Sequence, residues 1–82
     1  MGAYKVTYFR DQYTPRERKV TVRRRANKAS EAVEMLCNQY GWNYDIILID
    51  VATGGLEWAE CAIDPDGGIN YSFRAIAEWT EV

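Results

Sequence analysis

Apolar and polar residues alternate from Tyr4 to Arg10, with Tyr4, Val6 and Tyr8 on one side and Lys5, Thr7 and Phe9 on the other. A period of two belongs to a β-strand with one face against a core. Arg18 to Arg24 repeats the pattern, Val20 and Val22 inward and Lys19, Thr21 and Arg23 outward. Between them the polar stretch Asp11 to Glu17 holds Pro15, which fixes its own φ and biases the preceding residue away from helix, so the chain turns there. The two segments predict a hairpin with a loop longer than the minimal two residues. The period then changes. Ala29, Ala32, Val33, Leu36, Cys37 and Tyr40 recur at helical spacing with Lys28, Glu31, Glu34, Asn38 and Gln39 opposite, which predicts an amphipathic helix over 28–40. Asn27 suits the N-cap, Glu31 lies near the positive end of the helix dipole, and Gly41 suits the left-handed position that ends a helix.

Asp45 to Val51 is rich in β-branched residues and apolar on both faces around Ile46 to Ile49, which predicts a central strand flanked on both sides. A Thr53-Gly54-Gly55 turn leads into a half-buried strand from Leu56 to Ile63. Asp64-Pro65-Asp66-Gly67-Gly68 is a second turn, with proline where φ must be fixed and glycine where it must be positive. Ile69 to Phe73 alternates as a fifth strand, and Arg74 to Val82, open to strand or helical turn, is read as strand. The expected class is α+β: ββαβββ, an antiparallel twisted sheet with one helix packed on one face. The 82 residues are expected to form a single domain, 1–82, because a chain this short buries only about 60% of its unfolded surface.

Composition agrees with a folded protein, at 48% hydrophobic, 27% charged and 13% aromatic. The apolar run Ile46 to Ile49 is far short of the roughly 20 residues of a membrane helix, and no signal-peptide core opens the chain. A soluble, cytoplasmic protein without membrane contact is the expectation. Cys37 falls on the inward helix face, so the two cysteines are expected as free, packed thiols. The absence of histidine removes the commonest general base and the commonest metal ligand together. The Asp64–Gly68 turn lacks the length and terminal Glu of a calcium loop, and Gly54-Gly55 lacks the Lys of a phosphate loop. No catalysis, cofactor or metal is expected.

Charge is unevenly spread. Residues 1–40 carry nine Lys/Arg against four acids, and residues 41–82 carry Arg74 against eight acids. A lone helix covers one sheet face, leaving the other for solvent, a ligand or a second chain. The first hairpin would show Lys5, Thr7, Phe9, Lys19, Thr21 and Arg23 there, cations for phosphate and a ring for stacking. Arg23, Arg24 and Arg25 with Lys28 suggest an anion-binding corner at the helix N-terminus. Glu57, Glu60, Asp64, Asp66, Glu78 and Glu81 suggest a mimic of a phosphate backbone for a basic protein groove. Trp42, Trp58, Tyr71, Phe73 and Trp79 exceed what one small core needs, so one or two should sit on the open face or at an oligomer contact. The candidate partner-binding residues are Lys5, Phe9, Lys19, Arg23, Arg24, Arg25, Trp58 and Glu60.

The strand order, the basic first hairpin, the Ala-Ser-Glu-Ala helix opening (Ala29 to Ala32) and Gly54-Gly55-Leu56-Glu57-Trp58 resemble small phage-encoded proteins. In layout the chain is similar to the single-helix, five-stranded anti-CRISPR proteins that inhibit type I-F surveillance complexes. It departs from them in its apolar central strand and in Arg74 to Val82. The resemblance implies a non-catalytic inhibitor that binds a host protein or ribonucleoprotein complex in the bacterial cytoplasm and occludes its nucleic-acid path. Two alternatives stand beside it: direct nucleic-acid binding through the basic hairpin, and a homodimeric module whose open face pairs with its own copy.

Overall fold

The computed structural model describes residues 2–11, 13–51, 57–63 and 73–80. Within them the chain forms β1 (Gly2–Arg10), β2 (Arg18–Ala26), α1 (Ala29–Tyr40), β3 (Tyr44–Val51), β4 (Glu57–Ile63) and β5 (Arg74–Thr80). The strands make one sheet in the order β2-β1-β5-β4-β3, with every neighbouring pair antiparallel. The α+β class with one helix on one sheet is therefore observed. The predicted turns at 53–55 and 64–68 lie outside the described residues.

Alternation sets the faces. On β1, Tyr4 and Val6 are buried toward α1, and Thr7 meets Thr21 across the hairpin on the reverse side, their hydroxyls 3.1 Å apart. The connecting loop places Asp11 at φ 53° and Tyr13 at φ 69°. Thr14 holds it, its Oγ1 donating to the Asp11 carbonyl at 2.6 Å and accepting from the Arg16 N–H at 3.1 Å.

Helix α1 buries Ala29, Ala32, Val33, Leu36 and Cys37. Beneath it the sheet offers Ala59, Ala75 and Ala77, small side chains that admit the larger Leu36, Val33 and Val6 between the layers. Gly41 ends the helix at φ 69°, as expected, and the Trp42 N–H donates to the Cys37 carbonyl at 2.9 Å. The start differs from expectation. Lys28 occupies the cap position with no side-chain cap bond, while the Asn27 N–H donates to Glu31 Oε1 at 3.3 Å. A carboxylate from β4 serves instead: the Ala29 N–H donates to Glu57 Oε2 at 3.0 Å. Tyr40, expected inward, is exposed at the last helical position, where its ring stacks on Trp42 at 4.5 Å.

One strand assignment is corrected. The run Ile46 to Ile49 belongs to an edge strand rather than a central one, since β3 pairs with β4 alone among the described residues. A register shift between Ile46 and Leu48 explains its two-sided apolar pattern, because an extra residue moves the rest of the strand onto the other alternation phase. Arg74–Thr80 forms β5, in agreement with the strand read over Arg74 to Val82, whereas the strand read over Ile69 to Phe73 falls almost wholly outside the described residues. Phe73 is buried just before β5. β5 inserts between β1 and β4, joining the first hairpin and the later strands into one sheet.

Candidate functional site

The registers can be read straight across the sheet. On the side away from α1, one row runs Lys19, Phe9, Arg74, Ala62, Asp45, and the next runs Thr21, Thr7, Ile76, Glu60, Leu48. A third runs Arg23, Lys5, Glu78, Trp58. Because directly opposite residues share a face, Lys5, Phe9, Lys19, Arg23, Arg25, Trp58 and Glu60 gather on this open side. Arg24 does not. It alternates to the α1 side, where Nη2 donates to Gln39 Oε1 and Nη1 to the Arg23 carbonyl at 2.8 Å.

The open face is bipolar. Its β2–β1 half presents Lys5, Lys19, Arg23 and Arg25, all exposed, and its other half presents Glu78 and Asp45. Two ion pairs stitch the seam: Lys5 Nζ lies 3.6 Å from Glu78 Oε2, and Arg74 Nη1 lies 2.5 Å from Glu60 Oε2. Glu60 is buried under that pair, so it is a structural anion rather than the exposed contact the sequence suggested. Phe9 is half-buried between two cations, Lys19 Nζ at 5.7 Å and Arg74 Cζ at 5.6 Å from its ring centre. Arg23 and Arg25 have no ion pair among the described residues and border, with Ala3 and Arg24, a groove of about 220 Å³. A larger cleft of about 570 Å³ lies at the β1–β2 loop, among Arg10, Asp11, Pro15, Arg16, Glu17 and Arg18.

The structure gives internal partners to both electrostatic sites read from sequence. At the anion-binding corner, Glu57 holds the Ala29 N–H at the helix start. Three of the six acids in the proposed mimic have partners within the fold: Glu57 caps α1, Glu60 binds Arg74, and Glu78 binds Lys5. Asp64, Asp66 and Glu81 lie outside the described residues.

Among the rings, Trp58 is on the open face, half-buried, as one or two were expected to be. Trp42 joins Tyr8, Tyr40 and Phe73 in edge and stacked contacts on the α1 side. Trp79 pairs with Tyr4 on that side yet is exposed, and Tyr71 lies outside the described residues. Sequence reading missed Arg74, Ile76 and Glu78 as the centre of the open face. Their signal was present as an alternation with Ala75 and Ala77.

Cys37 and Cys61 are both buried and not joined as a disulfide, their Sγ atoms 3.9 Å apart between α1 and β4. The hydrogen bond to Cys37, with burial, pushes the Cys61 thiol far up, away from the reactive thiolate. Among the described residues no cluster of three or more His, Cys, Asp or Glu could hold a metal, and no helix is long and apolar enough to cross a membrane. The fold thus defines a class, a five-stranded antiparallel sheet with one helix on one face. No protein-family model, curated protein or solved structure matches the chain.

Proposed function

We propose that this is a non-catalytic binding protein that docks a protein partner on its open sheet face. The bipolar charge of that face carries the reading. A polyanion would meet Glu78 and Asp45 as well as the cations, whereas a protein surface can match both signs. Phe9, flanked by Lys19 and Arg74, is also poorly placed to stack on a base. Within this reading, the partner suggested by the layout's resemblance is a host defence protein or ribonucleoprotein complex, whose nucleic-acid path the bound chain would occlude.

Affinity capture from a bacterial lysate tests it, comparing wild type with Arg23→Glu, Trp58→Ala and a control on the outer helix surface, Glu34→Lys. The open-face variants should lose a partner that wild type and the control retain, and adding the chain to that partner should release its bound nucleic acid. Equal retention by all variants would refute the docking face. Retention of nucleic acid would refute only the inhibitor role.

Direct nucleic-acid binding is the second reading, favoured by the exposed Arg23 and Arg25 beside their groove. It requires an oligonucleotide to bind at low salt and dissociate as salt rises. Absence of binding at low ionic strength removes it.

A further inference from the structure

Among the described residues, the two sheet edges are opposite in character. β2 carries Arg18, Lys19, Arg23, Arg24 and Arg25 and no acid, while β3 carries Asp45 and Asp50 and no cation. Exposed apolar surface follows the same edges. Leu48 is 44% exposed on the open face, Ile49 is 52% exposed on the α1 face, and Val20 of β2 is 38% exposed on the α1 face. Leu48 and Ile49 point to opposite sides of one strand, so what covers both must lie alongside the edge and present side chains to both faces. Another strand does this.

We infer that the β3 edge receives the β2 edge of a second copy of this chain, head to tail. All neighbouring strands are antiparallel, so β2 and β3, at opposite ends of the order, run in the same direction. A copy set beside the first with its helix on the same side therefore pairs β3 with β2 in parallel.

The rows then continue. Asp45 stands level with Lys19 of the copy and Leu48 with Thr21, on the open side. On the helix side Ile46 stands level with Val20 and Ile49 with Val22. Opposite charges and apolar residues thus fall together at matching levels. Like-with-like pairing lacks this match: β2 on β2 gathers cations, and β3 on itself about its midpoint sets Asp45 opposite Asp50. A head-to-tail contact leaves one free edge of each kind, and sheet twist rotates each added copy, so assembly is open-ended.

Sedimentation equilibrium over a concentration series tests this, using wild type, Ile49→Lys to close the β3 edge, and Val20→Lys to close the β2 edge. Wild type should rise past twice the monomer mass without levelling. Each variant alone should stay monomeric, and their equimolar mixture, with one working edge of each kind, should level at a dimer. A wild type that stays monomeric or levels at a dimer overturns the inference, as does either variant assembling alone or a mixture that remains monomeric. Far-UV circular dichroism checks folding, and Ile49→Thr with Val20→Thr replace any lysine variant that loses its signal. Trp58→Ala should leave this assembly unchanged, which separates the inference from the open-face reading.

Discussion

The buried thiol pair gives stability a pH dependence. Cys61 is held protonated by its hydrogen bond to Cys37 and by burial, whereas a cysteine in the unfolded chain titrates near about pH 8.5. Below that pH both states carry the proton and stability is full. Above it only the unfolded chain releases the proton, so stability falls as pH rises, by at most about 1.4 kcal/mol per pH unit for one group. Tyr4 is raised by burial, then by Glu57 and Glu31, and Tyr44 by burial, then by Glu34 and the two cysteines, so both extend the decline beyond about pH 10. Urea unfolding under reducing conditions should show a midpoint dropping between about pH 8 and pH 10 in wild type. The double variant Cys37→Ala/Cys61→Ala should be flat over that window, and an equal slope in both would contradict the assignment. Helical spacing alone placed Cys37 inward; that Cys61 faces it across the layers depends on strand register, which no local pattern encodes.

At the scale of elements, the helix was legible because its stripe has a single period over three turns, and Gly41 marks its end. Its start was not, because the acceptor for the Ala29 N–H is Glu57, 28 residues away in sequence. Glu57→Ala should cost about 1 kcal/mol in urea unfolding, Glu57→Gln less because an acceptor oxygen remains, and Asn27→Ala within about 0.5 kcal/mol of nothing. An Asn27→Ala loss larger than that of Glu57→Ala would restore the local cap. The strands divide in the same way. β1 and β2 alternate large apolar with charged residues and were read correctly. β5 was read as strand, but its inward face of Ala75 and Ala77 is a weak hydrophobic signal that gave no hint of its central place in the sheet. In β3 a bulge mimics the sequence of a doubly buried strand, although its residues lie on an edge.

For the whole molecule, the charge asymmetry along the sequence becomes asymmetry in space because β2 and β1 occupy one end of the sheet and β4 and β3 the other. That consequence was foreseeable from hairpin order. The positions of its neutralising pairs, Lys5 with Glu78 and Arg74 with Glu60, were not, since both depend on β5 entering the middle of the sheet. Everything functional argued for this chain rests on a sheet that the helix covers on one face only among the described residues. Methyl relaxation by a soluble paramagnetic agent in solution NMR measures that directly. The methyl groups of Thr21 and Leu48 on the open side should relax strongly while those of Val6, Val33 and Leu36 stay protected. Protection of Thr21 and Leu48 equal to that of Leu36 in the monomer would mean the open face is covered, and would contradict the account.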